Sequence, residues 1–533
     1  MKNRRFMLSS GAALAGALML ARRVPAATLE GVAATPASAA ALGPLTPQER
    51  ALHALNRLGY GPTAADAAAI AAQGAGPWLE RFLAEQLAPT RPEPPPASAR
   101  RLAGLEVLTL GQAELLGRYR EAVKSTREAR REKTKGMTPE ADALNAVREQ
   151  VRPLVAQAAQ ARLSRALQSP AQLDEVLTEF WFNHFNVFAG KGPVGVLVAD
   201  YEQRAVRPHV LGRFRDMLGA TARHPAMLLY LDNAQSVVAG YEPPHRARRL
   251  LDARPEAKAR KATGLNENYA RELMELHTLG VDGGYTQRDV TELARMLTGW
   301  GLDTRKALQG GHGDLFAFEP HKHDPGTKTW LGQTVRPAGL AEGERALDVL
   351  ASHPATARHL AHKFAQAFVA DEPPAALVQK LAANFLSTGG DLREFTRTLI
   401  QADEFWSREA YQAKFKTPYQ YLLSSLRALD LQNSAVNTPQ PLLAALAQAG
   451  QPLYGATTPD GYKNVATAWR NPEALTQRVQ LATTLGQRSG LSAERLGTTL
   501  GAAVSDATRR TLATEPPAQQ VALLLASPDF MKR

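Results

Sequence analysis

Apolar residues recur at helical spacing along most of this chain, and the strict alternation of a half-buried strand is almost missing. That periodicity restricts the fold class more than any other feature. Residues 48–87 read as two or three short helices, broken at Gly59-Tyr60-Gly61-Pro62 and Gly76-Pro77. Ser169-Pro170-Ala171-Gln172 supplies an N-cap, a first-turn proline and a capping partner, which predicts a helix to about Asn186. Thr286 with Asp289 three residues on predicts another to about Gly299. Helical periodicity continues over 352–369, 375–386, 392–400 and 418–429, while only 192–198 and 328–331 resemble strands. The expected fold class is mainly α: a large multi-helix globular body with long irregular loops, notably from Gly299 to about Ala338, and little or no sheet.

Composition removes several function classes. With 44% hydrophobic and 21% charged residues among 533, the chain is neither mainly disordered, collagen-like nor a polytopic membrane protein. It has no cysteine, so disulfides, thiolate nucleophiles, iron-sulfur clusters and cysteine-ligated zinc are excluded. Any divalent metal must sit on His, Asp, Glu or carbonyl oxygen; the cofactor is otherwise unknown.

The start of the chain reads as an address. Lys2-Asn3-Arg4-Arg5-Phe6, a short Gly/Ala-rich apolar run and a small-x-small end before Ala27 form a signal of the twin-arginine type over 1–26, too short for a membrane span of about 20 apolar residues. Residues 27–46 read as a flexible linker and 47–533 as the helical body. The expectation is a periplasmic or extracellular protein with no transmembrane anchor in the mature chain and no nucleic acid as partner. The net charge of +12 (63 Lys and Arg, 51 Asp and Glu) then belongs to solvated surface or to contact with an acidic envelope polymer. Two basic stretches stand out: about 118–137, read as a solvated helix or mobile hairpin, and about 243–263, read as a mobile loop.

Three polar clusters are candidates for chemistry. At about 100° per residue, Asn266, Tyr269, Ala270, Leu273, Leu276 and His277 share one helix face, and Glu267, Asn268, Arg271, Glu272, Glu275 and Thr278 share the other. Either this is a surface helix with a buried His277 and a Glu267, Arg271, Glu275 ladder worth roughly 0.2–0.5 kcal/mol per pair, or the charged face lines a cavity where Arg271 holds one carboxylate ionised while a neighbour's pKa rises enough to act as acid or base. His184 lies on an apolar stripe with Leu173, Leu177, Phe180 and Trp181, which suits a core histidine or one held by an aromatic wall for catalysis. His321, His323 and Asp324 lie outside any periodic element and offer ligands to a divalent ion, although a turn at Asp324-Pro325-Gly326 explains part of the pattern. GxSxG, P-loop and HExxH signatures are missing.

The segment LNENYARELMELHTLGVDGGYTQRDVTELARMLTGW at 265–300 resembles the hallmark block of the bacterial family "domain of unknown function 1800". NRLGYGP at 56–62, FWFNHFNVF at 180–188, HPAMLLYLDNAQS at 224–236, HDPGTKTWLG at 323–332, GQPLYGATTPDGY at 450–462 and LLLASPDF at 523–530 extend the resemblance over nearly the whole body. It implies a large, exported, mostly helical protein, with 118–137 a variable charged insertion and an exported "domain of unknown function 1501" protein, phosphatase- or sulfatase-like, as partner. It assigns no activity. Two functions therefore stand: an envelope-associated enzyme using Glu267, Arg271, Glu275, His277 and His184, with a metal on His321, His323 and Asp324; or a non-catalytic binding or assembly protein.

Overall fold

A computed structural model describes residues 43–88, 90, 94–133, 140–242, 264–303, 305–306 and 313–533. The leader, the linker up to residue 42, the basic loop 243–263 and residues 134–139 lie outside the described residues. The first half comprises α1 Pro47–Arg57, α2 Ala64–Gln73, α3 Ala75–Gln86, α4 Pro96–Ala103, α5 Gln112–Lys133, α6 Glu140–Gln168, α7 Gln172–His184, α8 Val194–Tyr201, α9 Phe214–Arg223, α10 Pro225–Tyr230, α11 Asn268–Glu275 and α12 Gln287–Met296. After the strands described below come α13 Leu340–Ser352, α14 Pro354–Phe368, α15 Ala375–Ser387, α16 Leu392–Gln401, α17 Pro418–Ala428, α18 Gln432–Asn437, α19 Gln440–Gln448, α20 Pro472–Ser489, α21 Ala493–Leu500, α22 Asp506–Ala513, α23 Pro517–Leu525 and α24 Pro528–Met531. The chain is mainly α, and no helix among the described residues is long and apolar enough to cross a membrane.

Local chemistry explains most boundaries. Thr46 and Thr286 form capping boxes with Glu49 and Asp289, as the spacing predicts. The cap at Ser169 is different. Helix α7 starts at Gln172, because Gln86 reaches across from α3 to accept the Leu173 N–H at 2.9 Å, which leaves Ser169 to bond only the Ala171 N–H. Residues 192–198, which resembled a strand, enter α8; Val194 to Tyr201 are buried on every side, so a β-branched run loses its periodicity through burial.

The irregular crossing after α12 is folded into two small antiparallel hairpins, β1 Trp300–Leu302 with β2 Phe316–Phe318 and β3 Lys328–Trp330 with β4 Gln333–Val335. The strand reading at 328–331 thus has its counterpart in β3. In the charged stretch, α5 and α6 pack against each other. One continuous core links the helices, with the rings of Trp181, Phe185 and Phe214 packed together at 5.9–6.3 Å.

Candidate functional site

The hallmark helix is short, and its two polar strips do different things. Asn266 starts it: its Oδ1 accepts the Asn268 N–H at 2.9 Å and its amide donates to the Asp232 carbonyl at 3.2 Å. Tyr269, Ala270, Leu273 and Met274 form the buried face. On one strip, Glu267 accepts from Gln287 at 2.7 Å and from Thr291 at 2.6 Å, and Arg271 donates to Gln287 at 2.8 Å. Glu267 and Arg271 are 3.5 Å apart and partly exposed, so they clamp α11 to α12. Glu275 meets the Tyr285 hydroxyl at 3.5 Å instead of continuing the ladder.

His184 and His277 are both 1% exposed. His184 Nε2 donates to the His277 carbonyl at 3.1 Å, and His359 Nε2 donates to the Leu276 carbonyl at 3.1 Å. A carbonyl only accepts, which assigns the proton to Nε2 in each ring. These bonds satisfy carbonyls left over where α11 ends. Burial, then the nearby Lys363, pushes His277 down to about 3 and His359 to about 4, and pushes His184 well below the usual histidine range. They are neutral clasps at neutral pH. Burial in turn draws Lys363 down to about 8.

His321, His323 and Asp324 do not surround one point. The exposed His321 ring lies 3.7 Å from Glu319 and beside Tyr241. The buried His323 engages the Thr298 carbonyl at 2.9 Å and Glu342 at 3.1 Å. Asp324 takes a two-pronged contact from Arg295 at 2.8 and 3.1 Å. Lys328, 2.7 Å from Glu342, completes a buried network that fastens the hairpins to α12 and α13. Among the described residues no group of three or more His, Asp or Glu is arranged to hold a metal ion, because these candidates already face other partners.

A cleft of about 810 Å³ opens beside α11, lined by Arg148 and Arg152 of α6, Lys191, Tyr230, Asn268 and Glu272, among others. Lys191 pairs with Asp232 at 2.7 Å, and Asp232 adopts φ 60°, a left-handed conformation that costs energy away from glycine. Glu272 is the residue that the sequence reading left out of its site. Its carboxyl is half-buried and makes no hydrogen bond or ion pair among the described residues. Burial raises its pKa, helped by Glu275 and Asp460 and opposed by Arg271. Its signal was available: Asn268, Glu272 and Glu275 lie at i, i+4, i+7, a strip separate from Glu267 and Arg271.

Asp460 reaches this place on the 450–462 loop. Asn183 holds that loop by donating to the Tyr462 carbonyl and accepting its N–H, both at 2.8 Å, and Asn186 donates to the Ala456 and Thr458 carbonyls. The Tyr230 hydroxyl donates to the Thr457 carbonyl at 2.9 Å. Segments 180–188, 224–236, 265–300 and 450–462 therefore meet at one cleft margin. A family model described as a protein of unknown function (DUF1800) matches residues 53–532. The chain belongs to this family. No curated protein matches it, and no solved structure does. In this DUF1800 chain, four of the segments that resemble the family are joined by Asn183, Asn186, Tyr230 and Asn266 around the cleft.

Proposed function

We propose that this DUF1800 protein is an exported enzyme of the bacterial envelope, acting on an anionic polymer held in the cleft, with Glu272 as the group that gives or takes a proton. One observation carries the reading: a half-buried carboxyl with a raised pKa and no hydrogen bond or ion pair among the described residues lines a cleft that also carries Arg148, Arg152 and Lys191. The cations, of which Arg152 and Lys191 also pair with Glu149 and Asp232, attract acidic groups on the polymer. Burial keeps a fraction of Glu272 protonated closer to neutral pH than an ordinary glutamate, the state a general acid needs. His184 and His277 position α11 instead of touching the ligand. The signal-like residues 1–26 support export.

The test is incubation of the purified protein with isolated envelope polymer, reading released fragments by mass spectrometry. Wild type releases products, and Glu272→Gln retains binding while turnover falls by about 10²–10⁴-fold. A second reading, a non-catalytic assembly partner of an exported phosphatase- or sulfatase-like DUF1501 protein, draws on the use of Glu267, Arg271 and Glu275 in contacts within the protein. Binding without products from either variant favours it.

A further inference from the structure

The walls of the cleft beside α11 differ in chemistry, and the difference narrows the ligand beyond an anionic polymer. Val147, Val151 and Val155 of α6 all line it. They stand four residues apart, so at about 100° and 1.5 Å per residue they form one strip roughly 12 Å long. Arg148 and Arg152 line the same cleft, each one residue after a valine, and form a second strip beside the first. Among the described residues Arg148 meets only neutral acceptors, the Asn145 Oδ1 at 3.4 Å and the Gly190 carbonyl at 3.1 Å. Arg152 pairs with Glu149 at 3.1 Å, but both are exposed, and such a surface pair holds it only weakly.

The bond from Arg148 to Gly190 brings the 188–192 loop against α6, and Phe188, Ala189 and Lys191 of that loop also line the cleft. The Phe188 ring lies against the bare backbone of Gly190, where a Cβ would collide with it, and the ring is only partly buried. Val155 is partly buried as well, while Val147 and Val151 lie deeper at 6% exposure each. A sugar chain with acid groups alone would use the arginines and leave Val155 and Phe188 in water. A ligand that covers them carries hydrocarbon beside its negative charge, since removing apolar surface from water is what favours that contact.

Given the polymer reading of this cleft, on which this rests, we infer that the part of the polymer it recognises is an acylated anionic segment, with the acyl chain along Val147, Val151, Val155 and Phe188 and the acidic group on Arg148 and Arg152. The volume of about 810 Å³ suits one chain with its head group. Glu272 stands on α11, a different wall, so recognition of chain and head group is separate from its proton.

The probes are butyl, hexyl and octyl phosphate, each below its micelle concentration, titrated by calorimetry. A fully buried methylene is worth about fourfold in affinity, and a chain in an open cleft keeps one side in water, so affinity rises about two- to fourfold per methylene. Octanol binds roughly tenfold more weakly than octyl phosphate, and Arg148→Gln with Arg152→Gln removes that difference. Val155→Gln, at a partly buried position, flattens the chain-length series; if it fails to fold, the wild-type series decides. Envelope polymer stripped of acyl groups by mild alkali binds at least about tenfold more weakly than intact polymer. Glu272→Gln keeps the whole pattern, so chain-length-dependent binding without released fragments removes the enzyme reading and leaves the acyl site standing. Affinity indifferent to chain length, or stripped polymer bound and cut as well as intact polymer, overturns the acyl site.

Discussion

Lys328→Met isolates the buried ion network under the hairpins. Lys328 and Glu342 are both 0% exposed and 2.7 Å apart, and Glu342 also accepts from His323 and from the Ala338 N–H. Removing the ammonium leaves a carboxylate in the interior, and breaking one partner of such a pair costs about 3–5 kcal/mol. For a body of this size the unfolding entropy is about 1 kcal/mol/K, so Tm at pH 7 falls by ~3–5 °C. The pH dependence checks the cause. Burial raises the Glu342 pKa and the Lys328 contact, with the Ala338 and His323 bonds, more than reverses this, so in the native protein it lies below the usual value. A folded pKa below the unfolded one adds stability at pH above about 4.3, and that stability is lost as pH falls through the folded value. In the variant the carboxyl is uncompensated and protonates early. The gap between the two proteins therefore begins to narrow above the ordinary glutamate value, as the variant takes up its proton, and narrows further as pH falls toward the lowered native value. Calorimetry across pH 3.5–7 reads this, and a gap that stays constant with pH, or is under about 1 kcal/mol at pH 7, refutes the reasoning.

Three further outcomes follow from the same geometry. His277, neutral in the fold with a pKa of about 3, lets the unfolded chain bind the proton first, so its contribution to stability falls as pH drops below about 6.5. By linkage His277→Leu loses about 2 kcal/mol less than wild type between pH 7 and pH 5, read by urea melts. Gly461→Ala destabilises by more than ~2 kcal/mol, since a Cβ there meets Asn183 and the backbone holds φ 69°; the assay is thermal melting. Arg148→Glu with Arg152→Glu keeps Tm within about 1 °C, both side chains lying at the surface, and removes binding of the anionic polymer, read by titration calorimetry.

Much of the fold was legible because its signals are local. Helical spacing and capping boxes at Thr46 and Thr286 depend on residues within one turn, and they reappear in α1 and α12. The α7 start and the 192–198 segment were misread because Gln86 comes from 87 residues away and because burial on all sides erases a period. The site followed the same rule. Sequence found the α11 helix and its buried His277. It did not assign Glu272 to the cleft, although its strip with Asn268 and Glu275 was visible, since the raised pKa comes first from burial among segments far apart along the chain. Nor could it tell that Arg295, Glu342 and Thr298 engage the His323 and Asp324 groups offered to a metal.

The protonation of Glu272 is the most direct measure of the central claim. Carbon-13 NMR of labelled glutamate side chains, compared between wild type and Glu272→Gln, identifies its titration. The account predicts a carboxyl that titrates above the ordinary glutamate value, absent from the variant, and whose pKa climbs further when an acidic oligosaccharide fills the cleft. A Glu272 that titrates at or below the ordinary value, unmoved by that ligand, contradicts it.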